Sequence, residues 1–349
     1  MNGDTFWQEV ISTNKCPLVL PDIGTFFNQD MSVARKLFND IADSGVRYIK
    51  GEILHDADVC LPGAQLEQYL DADGQPLKEN YRQLIERKTV SLSHYRELFA
   101  PCNNLKLGLI LSVYDIAGAD FAIEIGSCAL KVASTNIVHA PLIRYCAASG
   151  LPLILDTGKS TIDEVERAVN WAKEVGCNRI IVEYSPPAPP NPTDQHNLKV
   201  LTWLQQHLAL PIGLSDHHSG EEMLYAATVF GCRLLEKGVC PDEQNDDQDV
   251  FHALKVSQLN EVIGKCKSIH SALGEVAKAY QTPPTRSPAR MGLVASKEIK
   301  AGQVINQDNL RYAFPTLGIG IEYIDRIIGQ KTCHDIQAGQ PIGWQDVDT

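Results

Sequence analysis

Short runs of apolar residues recur along the chain, and each is followed by a stretch with the apolar spacing of a helix. Eight runs are rich in Val, Ile and Leu, and they lie at 17–23, 47–53, 105–113, 129–134, 152–157, 179–185, 211–217 and 233–239. Apolar strands that alternate with helices are typical of a parallel sheet covered on its outer face by the helices. Eight such units over about 270 residues predict an α/β fold, the (β/α)8 or TIM barrel.

Helix start and stop signals support the prediction that the segments between these runs are helices. The stretch 161–176 follows Ser160, opens with Thr161 as a second candidate N-cap, and closes at Gly176. An open, doubly wound sheet is the competing architecture. No G-x-G-x-x-G follows the first apolar run, which disfavours a dinucleotide-binding sheet.

The alternation of strands and helices stops near residue 278, which divides the chain into two predicted domains. Residues 279–290, AYQTPPTRSPAR, are dense in Pro, Thr and Ser and predict a linker. The segment 291–349 has short strand patterns and the turns KAGQ and QAGQ, so we expect a small β-rich domain. The barrel domain is then 1–278, and its polar insert at 54–91 is expected to form a rim or lid.

The composition excludes several classes of function. The 349 residues include 31 Lys and Arg against 43 Asp and Glu, a formal net charge of −12. Nucleic-acid binding rests largely on neutralising phosphates, so this chain is not expected to bind nucleic acid. No apolar stretch reaches the roughly 20 residues that cross a membrane, and the first residues do not resemble a signal peptide. We expect a soluble cytoplasmic protein with reduced cysteines and no membrane partner.

Ionisable and hydroxyl side chains gather at the ends of the predicted strands. In a barrel of this kind, function lies at the carboxyl ends of the strands. Burying an unpaired charge costs several kcal/mol, so a concentration of such groups in buried strands indicates a site. The groups are Asp22, Lys50, Glu52, Ser112, Lys131, Ser134, Asp156, Thr157, Glu183, Ser185, Ser215, Asp216, His217, Glu236 and Lys237.

These residue types suit two kinds of ligand, and each also has a structural interpretation. Lys50, Lys131 and the hydroxyls would hold a phosphate or carboxylate, while His217 and the carboxylates would bind a divalent metal or transfer protons. Alternatively, Lys50 is a solvated lysine at a strand end and His217 is a structural histidine. Glu236 and Lys237 are equally well explained as partners of neighbouring strands.

The order of several motifs resembles the N-acetylneuraminate (sialic acid) synthase family, in which a barrel precedes a small antifreeze-like module called SAF. PDIG at 21–24, YIKGE at 48–52 and KVASTN at 131–136 resemble the E-I-G, V-K-x-Q and K-I-x-S-G-[DE] motifs of that family. Longer matches are PLIRYCAASGLPLILDTGKSTIDEVE, PIGLSDHHSG and, at the opening of the SAF module, LVASKEIKAGQVINQDNL, at 141–166, 211–220 and 293–310. The resemblance covers nearly the whole chain.

The resemblance implies a reaction, a cofactor and an assembly. The reaction is the condensation of phosphoenolpyruvate with an N-acetylated amino-sugar aldehyde, giving a nonulosonic acid and phosphate. The cofactor is a divalent metal, Mn²⁺ or Mg²⁺, which polarises the aldehyde. The assembly is a homodimer in which each SAF module covers the barrel mouth of the partner.

The resemblance also assigns roles to individual positions of this chain. The implied catalytic residues are Asp22, Lys50, Lys131 and Asp249. The implied substrate-binding residues are Ser134, Asn136, Asp156, Ser185, Ser215 and Phe314. The implied metal ligands are His217 and Asp249.

Several matched positions differ from the family in charge or in metal-binding capacity. Glu52 stands where the family has Gln, Asp156 where it has Ser, and Phe314 where it has Arg. Gly238 stands at the position of the second metal-binding histidine, so the metal site is expected to be weakened. Two alternatives to the synthase therefore stay open. One is an inactive family member that serves as a binding or regulatory subunit, and the other is a rebuilt site in which Asp156, Glu183 and Glu52 bind a different metal or a cationic substrate.

Overall fold

A computed structural model describes residues 1–186, 193–243, 247–274 and 289–348 of the chain. Within these residues, eight parallel strands form a barrel: β1 (Leu18–Asp22), β2 (Tyr48–Ile53), β5 (Gly108–Val113), β6 (Ala129–Val132), β7 (Leu153–Asp156), β8 (Ile180–Tyr184), β9 (Ile212–Asp216) and β10 (Leu234–Cys240). The barrel closes because β10 pairs with β1 as well as with β9. The predicted (β/α)8 barrel is confirmed.

Helices cover the outside of the sheet and join successive strands. They are α1 (Gly3–Ile11), α2 (Met31–Asp43), α3 (Tyr81–Lys88), α4 (Leu92–Phe99), α5 (Cys102–Leu105), α6 (Ile116–Glu124), α7 (Ala140–Ala148), α8 (Ile162–Glu174), α9 (Lys199–Leu208), α10 (Glu222–Val229) and α11 (Leu259–Leu273). The N-cap expected at Thr161 is present: its side chain accepts from the Glu164 backbone N–H, and Glu164 accepts from the Thr161 N–H. This reciprocal pairing satisfies two backbone donors at the start of α8.

Seven barrel strands each contribute one side chain to an apolar interior layer. These are Leu20, Tyr48, Ile110, Ala129, Ile154, Ile181 and Leu234, and they form one buried cluster with Phe6 and Val10. Phe6 and Val10 belong to α1, a helix that the alternation of strands did not predict. Gly3 of that helix lies close to Cys128 and Pro152 at the amino ends of two strands, so α1 closes this end of the barrel.

The insert after β2 has structure of its own. Its strands β3 (Leu66–Leu70) and β4 (Pro76–Asn80) form an antiparallel hairpin, and α3 follows directly. Lys88, at the end of α3, is buried and contacts Asp247 and Thr25 at 2.7 and 2.8 Å. The insert is thereby tied to the loops that follow β1 and β10.

The described residues fall into two compact units, Met1–Leu273 and Gly274–Thr349. A short strand of the first unit, β11 (Leu254–Lys255), pairs in parallel with β10. The second unit has its own core, which includes Leu293, Ile299 and Ile342, and its strands β12 (Gly292–Ala295) and β13 (Leu310–Ala313) are antiparallel. The linker expected at 279–290 lies outside the described residues except for its last two positions. None of the described helices has the length and apolar character that crossing a membrane requires. All ten cysteines are free thiols.

Candidate active site

A layer of polar side chains lies directly above the apolar layer of the barrel. Side chains two residues apart in a strand point to the same face, so the residue that follows each apolar position by two also points into the barrel. This rule places one polar side chain from each of the seven strands at the carboxyl-terminal mouth, and β9 adds Ser215, which follows Gly213 by two. The eight side chains are Asp22, Lys50, Ser112, Lys131, Asp156, Glu183, Ser215 and Glu236. All eight are less than 9% exposed.

Lys131 lies at the centre of this layer. Its Nζ atom is 2.6 Å from Glu236 Oε1, 2.8 Å from Glu183 Oε2 and 3.0 Å from Asp156 Oδ2. We call Asp156, Glu183 and Glu236 the carboxylate trio. The hydroxyl of Ser215 lies 3.4 Å from the same Nζ atom. Three other strands, β7, β8 and β10, thus supply negative charge to one ammonium group.

Lys50, on β2, also reaches Glu236. Its Nζ atom donates to Asp22 Oδ2 at 2.5 Å and lies 3.4 Å from Glu52 Oε1 and from Glu236 Oε1. Glu236 Oε1 therefore joins the two lysines, which point toward one another as an anion-binding cradle requires. Both ammonium groups are engaged by carboxylates in this structure.

Burial and these ion pairs shift the acidities in opposite directions. Burial, reinforced by the charge of Glu236, raises the pKa of Glu183 to about 8, and burial also raises the pKa of Asp22 to about 6. Burial acts the same way on Glu236, but Lys131 and Lys50 outweigh it and lower its pKa to about 2. Burial disfavours the charged form of both lysines, yet the surrounding carboxylates raise the pKa of each above its ordinary value.

Negative charge exceeds positive charge in this layer and just above it. Five carboxyl groups lie within 4 Å of the two ammonium groups: Asp22, Glu52, Asp156, Glu183 and Glu236. Glu52 also accepts a hydrogen bond from the Tyr114 hydroxyl at 3.0 Å. Even with Glu183 protonated, four carboxylates face two ammonium groups. The mouth is thus more acidic than a simple phosphate cradle.

Two of the predicted hydroxyl donors, Ser134 and Ser185, lie next to Gly158, which follows Asp156 of the trio by two residues. A Cβ atom at Gly158 would come within 3.0 Å of Ser134 Oγ and 3.4 Å of Ser185 Cβ, so both serines border that position. Asn136 is farther round the rim, where its amide donates to the Tyr114 carbonyl at 3.4 Å.

His217 directly follows the last residue of β9 and lies two residues beyond Ser215, closer to solvent. Its Nδ1 atom is 3.3 Å from Ser185 Oγ, and its ring contacts the ring of His252 edge-to-face at 5.0 Å. His252 Nε2 is 3.5 Å from Oδ1 of the half-buried Asp249. Burial, with the charge of His217, lowers the pKa of His252 well below its usual range. His252 was not predicted, since it follows a loop rather than a strand.

Gly238 leaves the histidine pair of the family incomplete. A Cβ atom there would lie 3.1 Å from the ring of Phe26, which is buried, so an aromatic side chain occupies the space in which a second histidine would extend. His217 and Asp249 alone offer two protein ligands, fewer than the three or four of a typical site with histidine ligands. The residues present do not fit a metal held between His217 and a side chain at position 238.

Lys237 belongs to the fold rather than to the site. It points away from the barrel interior, because Glu236 points into it. Its Nζ atom bonds Asp216 Oδ2 at 2.7 Å and the carbonyls of His218 and Gly220. Lys237 thus pairs with a neighbouring strand, as its structural interpretation proposed, whereas Glu236 lies at the centre of the site.

Comparison with known proteins identifies the family. The NeuB family profile matches residues 37–278, and the SAF domain profile matches residues 290–348. The chain belongs to the NeuB family. The matched segment includes Lys50, Lys131 and the whole carboxylate trio. The family and the SAF domain predicted from the sequence motifs are confirmed.

Two curated relatives are sugar-acid synthases. The N,N'-diacetyllegionaminic acid synthase of Campylobacter jejuni is 25% identical over 320 residues, which are 90% of this chain and 96% of the relative. The pseudaminic acid synthase of Helicobacter pylori is 24% identical over 335 residues, 95% of this chain and 98% of the relative. These relatives support the same kind of enzyme for this NeuB-family chain.

Solved structures share the fold. The sialic acid synthetase of Leptospira borgpetersenii, crystallised with citrate, aligns with a TM-score of 0.66 at 21% identity, over 75% of this chain and 87% of that one. Phe314, which the family resemblance implies as a substrate-binding residue, lies on the surface of the SAF unit and is 61% exposed.

Proposed function

We propose that this NeuB-family chain condenses phosphoenolpyruvate with an N-acetylated amino-sugar aldehyde to a nonulosonic acid, with release of phosphate. One observation carries the proposal: Lys50 and Lys131, from different strands, converge on Glu236 Oε1 at 3.4 and 2.6 Å at the barrel mouth. Two convergent ammonium groups with Ser215 beside them suit a small acid that carries both a phosphate and a carboxylate.

The reaction balances with water as the second reactant. The C3 atom of phosphoenolpyruvate forms a bond to the aldehyde carbon, water adds at C2, and the C2–O bond to phosphate breaks. The oxygen of the water becomes the keto oxygen. One of its protons goes to the aldehyde oxygen and the other leaves with phosphate.

The side chains of this chain would serve binding and charge stabilisation. Phosphoenolpyruvate would replace Glu236 and Asp22 as the partner of the two lysines, since its oxygens accept the hydrogen bonds that these carboxylates accept now. Lys50 and Lys131 would then hold the phosphate as its charge grows, which is electrostatic stabilisation by groups already in place. Ser134 and Ser185, at the rim around Gly158, would donate to the sugar or the phosphate.

Phosphate release from phosphoenolpyruvate tests the proposal. We expect turnover with at least one sugar from a panel of N-acetylated hexosamines with Mn²⁺ present, and none without sugar. Lys50→Gln should lower kcat/KM by about 100-fold, because a hydrogen bond to a charged group contributes about 1.5–3 kcal/mol. Lys78→Gln, on an exposed position of β4, is the matched control and should keep wild-type turnover. A folded wild type without turnover on any sugar would favour the binding or regulatory subunit instead.

We further propose that the chain acts as a homodimer with the SAF module of one copy at the barrel of the other. Phe314 and Leu317 support this, because these two large apolar side chains are 61% and 74% exposed and an exposed apolar surface suits a contact between subunits. Sedimentation velocity should give a dimer for the wild type and a monomer for Phe314→Glu/Leu317→Glu. Lys300→Glu, also exposed in that unit, should leave the dimer intact. A wild-type monomer would contradict the proposal.

A further inference from the structure

The carboxylate trio has the spacing of a metal site. One oxygen from each of Asp156, Glu183 and Glu236 lies within 4.8 Å of the other two. Hard cations such as Mg²⁺ and Ca²⁺ bind oxygens at about 2.0–2.6 Å, which puts ligands on opposite sides of an ion about 4–5 Å apart. The three oxygens therefore fit around one such ion without moving the strands.

The structure already holds a positive group at the centre of the trio. Lys131 Nζ lies 2.6–3.0 Å from the three oxygens, so the ammonium marks where a cation is attracted most strongly. The ammonium is carried on a flexible four-carbon chain, and the Ser215 hydroxyl also lies beside it, at 3.4 Å. An ion that entered here would take the place of the ammonium.

Buried polar atoms in the same layer have no hydrogen-bond partner. Among the described residues these include Glu183 Oε1, Glu236 Oε2 and the Ser112 hydroxyl. Ser112 is 1% exposed, points into the barrel two residues above Ile110, and stands opposite Lys131 in the pairing of β5 with β6. Leaving a buried polar group without a partner is unfavourable, and a coordinated ion with its waters would satisfy several at once.

We propose that Asp156, Glu183 and Glu236 form a binding site for a hard divalent cation, with the ion displacing the ammonium of Lys131. Two further observations agree with it. The carboxylates outnumber the lysines, and Gly238 offers no imidazole at the position where the family resemblance implies a second metal-binding histidine. The displaced lysine would then be free, with Lys50, to bind an anion.

The displacement couples two ligands. If the cation frees Lys131, it raises the affinity for a phosphorylated acid, and that acid raises the affinity for the cation by the same factor. This second step rests on the proposed synthase function, whereas the cation site does not.

Binding of Mn²⁺ alone to the full chain, without phosphoenolpyruvate, tests the site. Electron paramagnetic resonance of free Mn²⁺ or titration calorimetry should show one site in the wild type. Affinity should fall at least 10-fold in Glu183→Gln and in Asp156→Asn. Each variant leaves Lys131 two carboxylate partners, so we expect both to fold. Glu166→Gln, an exposed carboxylate of α8, should bind as the wild type does.

Two outcomes would overturn the site. One is wild-type Mn²⁺ affinity in both trio variants. The other is loss of Mn²⁺ in His217→Ala while the trio variants bind normally, which would place the ion at the histidine.

Lys131→Met tests the displacement itself. Without an ammonium to displace, this variant should bind Mn²⁺ about 10-fold more tightly than the wild type, and Mn²⁺ should raise its thermal midpoint more. A purely structural lysine would instead give weaker binding, because its loss would disorder the trio. If Lys131→Met folds poorly without metal, it can be purified with Mn²⁺ present. Mn²⁺ binding to Lys131→Gln, which also lacks the ammonium, provides a second measurement.

Phosphoenolpyruvate affinity with and without Mn²⁺ separates the two proposals. Mn²⁺ binding at the trio without phosphoenolpyruvate binding would retain the cation site and reject the synthase. If the wild type releases phosphate at its full rate in a chelator, and the trio variants no longer bind Mn²⁺, the synthase proposal is retained and the coupling between the two ligands is rejected.

Discussion

Lys131→Met is expected to lower the free energy of unfolding by about 3–5 kcal/mol in buffer that contains a chelator. Methionine keeps the length of the side chain and removes the ammonium. Asp156 and Glu183 then stay buried with no counter-charge within reach, since Lys50 contacts only Glu236 among the members of the trio. Urea denaturation followed by far-ultraviolet circular dichroism measures the loss.

Lys265→Met is the matched control for this prediction. Lys265 Nζ lies 2.8 Å from Glu261, a distance like those around Lys131, but its side chain is 46% exposed. Exposed pairs contribute at most about 1 kcal/mol, so this variant should change stability little. Adding Asp156→Asn to Lys131→Met should recover part of the loss, because it removes one buried carboxylate that has lost its counter-charge. Equal stabilities for Lys131→Met and Lys265→Met would show that the buried network contributes nothing.

Lys88→Met is expected to cost a similar 3–5 kcal/mol. Lys88 and Asp247 are 3% and 1% exposed, and their charged atoms are 2.7 Å apart. The pair joins the insert to the loop after β10, and Thr25 donates to the same Asp247 oxygen at 3.1 Å. Removing the ammonium leaves a buried carboxylate and frees both loops at the mouth. The same urea denaturation measures the effect.

Lys36→Met separates burial from distance. Lys36 Nζ is 2.8 Å from Asp40 on the surface of α2, where the lysine is 59% exposed. A helical pair of this kind contributes about 0.2–0.5 kcal/mol. Combining Lys88→Met with Asp247→Asn should be less destabilising than Lys88→Met alone. If the double variant is the least stable of the set, the pair is not the origin of the effect.

The barrel was predictable because its physical cause is local in the sequence. Strands buried on both faces are continuous apolar runs, and helices between them follow a 3.6-residue period. The same local rule marked the strand-end residues, since Lys131 and Glu183 interrupt apolar runs at corresponding positions. The family motifs were predictable for a similar reason, as they are short and contiguous.

Other features depend on contacts that no local pattern records. Helix α1 closes the barrel because Phe6 packs on Tyr48, a pair separated by a whole helix and strand. The pair between Lys88 and Asp247 joins residues 159 positions apart. Phe26 fills the space beside Gly238, which explains why a motif comparison finds a missing ligand but not what stands in its place.

The sequence by itself determined the barrel, the second β-rich unit and the list of ionisable groups at the strand ends, because hydrophobic period and motif order act over short distances. Only the tertiary structure decided how those groups combine. Closing the sheet brings β6, β7, β8 and β10 around one ammonium, so Lys131 meets three carboxylates that lie 25 to 105 residues away along the chain. Whether a lysine at a strand end meets a substrate or a carboxylate is set by which strands become neighbours across the barrel.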